Sequence, residues 1–145
     1  MKKAYVMVGI PGAGKSTWIR NHLSESVMRI SRDIIRVKLE MCKEGEKFKG
    51  TPEQEQKVTE YQDSLIANSN NDIVIDDINI GKYRPKLLAK LSDYYVIYVW
   101  LQTPLELCIE RRREDISEEI MRDINSRFVE PTLNECDELW IIKRN

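Results

Sequence analysis

Gly9-Ile10-Pro11-Gly12-Ala13-Gly14-Lys15-Ser16 is a full GxxxxGK[ST] match, a spacing whose chemistry is the grip of a polyphosphate. Glycines let successive backbone N–H groups converge on phosphate oxygens, and the helix that follows adds the partial positive charge of its N-terminus. In such a loop the lysine reaches the β- and γ-phosphates and the serine hydroxyl ligates Mg2+. Gly9, Gly12, Ala13, Gly14, Lys15, Ser16 and Thr17 are therefore the expected ATP-binding residues, Lys15 being also catalytic and Ser16 a metal ligand. A plain glycine turn joining a strand to a helix is the structural alternative.

Metal chemistry at such a loop calls for an acidic residue at the end of a second apolar strand. Asp76 and Asp77 follow Ile73-Val74-Ile75 and meet that requirement, with Asp77 the expected ligand. A nucleophile is also needed. In Ser31-Arg32-Asp33-Ile34-Ile35-Arg36, Asp33 at a helix start can take a proton from an acceptor hydroxyl, and Arg36, one turn on, can grip a phosphate. The same residues could equally decorate a helix N-terminus, where negative charge is favourable.

The loop, the S-R-D-x-x-R stretch and the D-x-N of Asp77-Ile78-Asn79, in that order, resemble the kinase domain of the phage-type polynucleotide 5′-kinases. The motifs span about twenty residues, while the order of elements matches over most of the chain. The resemblance implies that Asp33 is the general base for a 5′-hydroxyl and that Arg36 contacts the acceptor's phosphate. It implies that Asp77 supports Lys15, Ser16 and the metal, and that Asn79 lies at the acceptor. It also implies a lid arginine after the fourth strand, where this chain offers Arg111-Arg112-Arg113 in a shorter loop. Consecutive helical residues point about 100° apart, so the three cannot all face one phosphate. Arg113 is favoured as catalytic and ATP-binding, with Arg112 beside it and Arg111 as a further alternative; a solvated basic face paired with Glu110, Glu114 and Asp115 is the competing reading. No DxDxT motif occurs, so a phosphatase domain like that of the two-domain members is not expected in this sequence.

Placing these groups requires strands alternating with helices. Ala4 to Val8 is a β-branched and aromatic run stopped by Gly9, and Lys15 to Leu23 turns helical. A short strand over Val27 to Ile30 precedes Ser31, a candidate N-cap for a helix whose apolar positions run to Met41. Residues 43–50 are polar with two glycines and read as a loop, in which Lys43, Lys47 and Lys49 alternate with Glu44 and Glu46 and could line an acceptor channel. Thr51-Pro52-Glu53-Gln54 opens a helix ending near Asn68. Strands over Asp72 to Asp76, Tyr94 to Leu101 and Leu139 to Ile142, with helices over Lys82 to Leu91, Pro104 to Arg113 and Ser117 to Phe128, complete the pattern. The expected architecture is α/β, a P-loop NTPase-type parallel sheet flanked by helices, in one domain spanning 1–145.

The composition agrees with that plan. The 145 residues are 41% hydrophobic and nearly charge-balanced, 23 Lys+Arg against 24 Asp+Glu, which argues against general disorder and suits one domain with one core. Charge is unevenly spread: residues 1–50 hold 11 basic against 5 acidic side chains, and residues 51–145 hold 12 against 19. The basic part is the one that carries the phosphate motifs, which favours an anionic ligand there. The longest apolar run, Tyr94 to Leu101, falls well short of the roughly 18 residues of a membrane helix. Met1-Lys2-Lys3 before Ala4 to Ile10 has the outline of a signal peptide but leads into the lysine loop, not a cleavage site. A cytoplasmic location without membrane contact is expected, with Cys42, Cys108 and Cys136 as reduced thiols. His22, the only histidine, and the three tryptophans read as packing residues. The chemistry expected is Mg2+-dependent transfer of the γ-phosphate of ATP to a 5′-hydroxyl nucleic acid end, DNA or RNA. Its rivals are a P-loop kinase of a nucleoside, sugar or antibiotic, and a nucleotide-dependent binding module.

Overall fold

In the computed structural model, which describes residues 1–46 and 48–144, five parallel strands lie in the spatial order β2-β3-β1-β4-β5. In chain order the elements are β1 (Lys3–Val8), α1 (Lys15–His22), β2 (Met28–Ile30), α2 (Arg32–Lys38), α3 (Pro52–Asn68), β3 (Ile73–Ile75), α4 (Arg84–Ala89), β4 (Tyr95–Gln102), α5 (Leu105–Arg112), α6 (Glu118–Ser126) and β5 (Glu138–Lys143). Lys47 of the basic loop lies outside the described residues.

Side-chain alternation along β1 divides the core. Ala4, Val6 and Val8 point to one face, where they meet Ile35 of α2 and Val58 and Ile66 of α3. Tyr5 and Met7 point to the other, against Trp18 of α1, Cys108 and Ile109 of α5 and Met121 of α6. Both faces of β1 are covered, which is why the strand reads as a continuous apolar run. The paired neighbours of β1 are β3 and β4, so the chain leaves β1 toward one side of the sheet and later crosses to the other. Ligands of open parallel sheets bind outside the carboxyl ends of strands at such a switch point, and the loop at 9–16 is there.

Helix starts follow local chemistry. Thr51 and Gln54 form a reciprocal capping box (Gln54 N to Thr51 Oγ1 3.2 Å, Thr51 N to Gln54 Oε1 2.9 Å) with Pro52 at the first helical position. Ser31 occupies the N-cap position of α2 with extended backbone, but its side chain caps nothing. The Asp77 carboxylate does so instead, accepting the Arg32 N–H at 3.0 Å. The helix also stops earlier than the apolar pattern to Met41 suggests. Glu40 adopts a left-handed φ of 59°, while Met41 N donates to Arg36 O and Glu40 N to Val37 O, each at 3.0 Å. That is a Schellman ending without the usual glycine. A 3-10 turn at Leu133–Glu135 is an element the sequence pattern does not announce.

Candidate active site

The loop between β1 and α1 is shaped by two glycines in left-handed conformation, Gly12 (φ 86°) and Gly14 (φ 101°). At Gly12 a side chain is also opposed by space: a Cβ would lie 2.9 Å from Cys108 O and 3.0 Å from Arg112 Cγ. Helix α5 thus passes directly against the loop. Outer contacts hold the loop carbonyls, with Thr103 Oγ1 donating to Ala13 O at 2.7 Å and Arg111 Nη1 to Gly12 O at 3.0 Å. Trp18 N makes the first helical bond, to Gly14 O. The N–H groups of Lys15, Ser16 and Thr17 thus have no intrahelical partner and form the anion-binding end of α1.

Lys15 Nζ donates to Gly9 O and Ile10 O, both at 3.0 Å. Burial lowers its pKa to about 8, against the pull of Asp76 and Asp77, and the positive charge of Arg112 lowers it further. A phosphate arriving at the loop would relieve that penalty, because its negative charge favours the ammonium form.

At the ends of β2 and β3, the two aspartates divide their work. Asp76 is buried at 8% exposure, and Arg29 of β2 binds it through Nε (2.6 Å to Oδ2) and through Nη2. The same Nη2 donates to Ser16 Oγ at 3.0 Å. Asp77 accepts from Arg32 N and from Gln62 Nε2 (3.5 Å); burial raises its pKa to about 6, with neighbouring Asp76 adding to the rise and the Arg32 N–H opposing it. Ser16 Oγ and Asp76 Oδ2, both bonded by Arg29, are oxygens of the kind that suits Mg2+, which takes one or two carboxylates and completes its shell with phosphates and water, whereas both oxygens of Asp77, the expected ligand, already accept from Arg32 and Gln62.

On α2, Asp33 has a 92% exposed side chain and is bonded by Arg36 Nη1 at 2.8 Å. Arg36 is in turn gripped edge-on by Glu55 of α3, Nε to Oε2 at 3.0 Å and Nη2 to Oε1. This pairing raises the Arg36 pKa and holds the Glu55 carboxyl below its ordinary range. Arg32 binds α3 as well, through Thr59 Oγ1, Gln62 Oε1 and Glu55 O at 3.0–3.3 Å. Neither Glu55 nor Arg29 stands out in the sequence, since their partners lie 19 and 47 residues away. Arg144 is a further cation beyond sequence reading: its Cζ lies 4.0 Å from where a Gly14 Cβ would be, and its buried Nε has no hydrogen-bond partner among the described residues.

Two expected site residues are placed elsewhere. Arg113 points to solvent, 66% exposed, and pairs with Glu110 at 3.2 Å, because the helical turn that brings Arg111 and Arg112 to the loop carries the next residue away. Arg112 is held by Asp115, Nη2 to Oδ2 at 2.6 Å, and its charge is felt by both Lys15 and Asp33. Asn79, expected at the acceptor, spends its amide on main-chain carbonyls: Met7 O (2.7 Å), Asp77 O (3.0 Å) and Ile75 O (3.4 Å). Its left-handed backbone (φ 48°) and the Arg84 bond to its own carbonyl (3.1 Å) make it a clasp between the ends of β1 and β3. His22 stacks on Trp18 with ring centroids 4.7 Å apart, and Trp18 meets Trp140 edge-on at 6.2 Å, so these aromatics pack.

Residues 5–131 match the model of the AAA domain family. The chain belongs to that family. Among solved structures, this AAA domain resembles the Pnkp1/Rnl/Hen1 RNA repair complex (TM-score 0.72, 20% identity), covering 87% of this chain and 43% of that one. It also resembles a gluconokinase from Sinorhizobium meliloti (TM-score 0.68, 16% identity, 97% and 82% covered) and a fungal RNA kinase (TM-score 0.64, 14% identity, 99% and 75% covered). The AAA domain therefore has the P-loop kinase fold, and it spans less than half the length of the RNA repair chain it matches. No helix among the described residues is long and apolar enough to cross a membrane.

Proposed function

We propose that this AAA domain is an ATP-dependent phosphotransferase acting on the 5′-hydroxyl of a DNA or RNA end. The observation that carries this reading is the exposed Asp33 carboxylate held by Arg36 on α2, a helix whose first N–H is bonded to Asp77 beside the phosphate loop. A carboxylate so placed can accept the proton of an incoming hydroxyl. Lys15 and the N–H groups at the start of α1 bind the β- and γ-phosphates, with Arg112, and Arg111 beside the loop, neutralising charge that spreads onto the transferring group. Mg2+, held through Ser16 with Asp76 and Asp77 in reach, would supply further neutralisation. Arg36 orients Asp33 and still has two of its five N–H donors for an acceptor phosphate, three being committed to Asp33 and Glu55.

One observation favours a second reading. Asp33 and Glu55 together outweigh the charge of Arg36, and Arg32 only restores neutrality, so this ion-pair cluster carries no surplus positive charge for a polyanion. A neutral hydroxyl acceptor such as a sugar or nucleoside fits that balance. Incubation with γ-labelled ATP, Mg2+ and a panel of 5′-OH oligonucleotides, nucleoside 3′-monophosphates, nucleosides and sugars decides between them. Label on the oligonucleotides supports the polynucleotide reading; label on sugars or bare nucleosides alone replaces it with the small-molecule kinase. Absence of acceptor-dependent ATP turnover leaves the binding module.

A further inference from the structure

Arg29 bonds both Ser16 and Asp76. Its guanidinium donates to Ser16 Oγ at 3.0 Å and is anchored on Asp76 through Nε and Nη2, so it bridges a hydroxyl and a carboxylate, oxygens of a kind that could hold a divalent ion. The side chain is 43% exposed and the Asp76 side chain 6%, which leaves the arginine free to swing outward while the carboxylate stays. A buried carboxylate needs a positive partner. Without Arg29, Lys15 is the neighbouring charge that Asp76 attracts, and Lys15 is needed at the phosphates.

We infer that Arg29 is a positioning residue that bridges Ser16 and Asp76 and must yield them when a divalent ion and nucleotide bind. The inference rests on the donor half of the reading above and is independent of the acceptor. It has a consequence opposite in sign to an ordinary supporting role: removing Arg29 strengthens metal binding, because the ion no longer competes with a tethered guanidinium.

Binding of Mn2+ in the presence of saturating ADP, followed by the free-ion EPR signal, tests this in the wild type, Arg29→Gln, Arg29→Lys and Arg29→Gln/Asp76→Asn. Arg29→Gln is expected to tighten Mn2+ about tenfold. Arg29→Lys, which keeps the charge but loses the fork that spans both oxygens, should fall between. The double variant should lose the gain, since the gain comes from a freed Asp76. In the wild type alone, the Arg29 Nε–H resonance, identified by its absence in Arg29→Lys, is expected to shift with ADP and Mg2+ and to stay with ADP and EDTA. Unchanged or weaker Mn2+ binding in Arg29→Gln, or an Nε–H signal indifferent to metal, overturns the inference even if Arg29→Gln proves too unstable to titrate. Failure of ADP to bind the wild type at all, measured by calorimetry in the same buffer, points instead to the donor assignment.

Discussion

Gly12 and Ala13 are held through their carbonyls by Arg111 and Thr103, whereas Asp33 and Arg36 are held by other side chains, Arg36 by Glu55 and Asp33 by Arg36. The donor side is thus built from backbone geometry that glycines permit, and the acceptor side from a chain of ion pairs between α2 and α3. The first is set by the backbone conformation of the loop and braced by Thr103 and Arg111, 90 and 99 residues away in sequence. The second is assembled across helices, so its charge balance can change by single substitutions without disturbing the loop. A fold shared by a gluconokinase and an RNA kinase would need that division: a constant phosphate grip beside a face that varies.

The strongest break in this comparison comes from the donor side. Lys15→Ala should reduce phosphotransfer by at least about 10³-fold, in keeping with the loss of a group that neutralises the transferring phosphate, while its thermal melt stays close to the wild type. Turnover of Mg·ATP and a melting curve on one preparation check this, and near-normal turnover would show that the loop does not serve a γ-phosphate. On the acceptor side, Asp33→Asn keeps the shape but removes the proton acceptor. A loss of about 10²–10⁴-fold in rate with ATP affinity intact is expected. A structural role alone would show as a lower melting temperature with little kinetic change.

What the sequence alone makes legible follows the same division. The loop and its flanking elements are contiguous, so residues 9–16 could be read directly, as could the strand, helix and capping signals around them. Asp33 was legible as a position, but its setting was not. Glu55 sits in a polar helix with nothing in its neighbourhood to mark it, and the pairing with Arg36 exists only once α3 packs on α2. The cap of α2 shows the same thing in miniature: Ser31 carries the local signal, yet Asp77, 45 residues away from Arg32, makes the bond. Glu40 hid a helix end because the left-handed position lacks the expected glycine, and Arg111 rather than Arg113 reached the loop because the phase of α5 depends on packing.

Two smaller effects sharpen the contrast. Glu55 has a folded-state pKa below its ordinary range because of its bond to Arg36, so the stability it contributes is present above that range and is lost as pH falls through the folded value. Glu55→Gln should therefore flatten the acid limb of the melting temperature between about pH 3 and 5, where an unpaired glutamate would titrate, and leave ATP binding unchanged. Melts from pH 3 to 7 on both proteins measure it; identical acid limbs would mean the pair contributes nothing. Smaller still is Thr51→Ala, which removes the cap of the helix that carries Glu55 and should cost about 1 kcal/mol of stability. Chemical denaturation gives that figure, and unchanged ADP affinity in the same variant would show that the donor loop is insulated from α3.

The central claim is that the two sides meet in transfer to a nucleic acid end, and the acceptor's own phosphate tests it most directly. Specificity constants are to be compared for a nucleoside 3′-monophosphate and the matching bare nucleoside, in the wild type and in Arg36→Ala. If the two remaining donors of Arg36 hold that phosphate, the wild type prefers the 3′-monophosphate by roughly one to two powers of ten, the worth of a charge-assisted hydrogen-bonded contact, and Arg36→Ala erases the preference. Equal use of both acceptors by the wild type would contradict the polynucleotide reading and leave the neutral-acceptor kinase in its place.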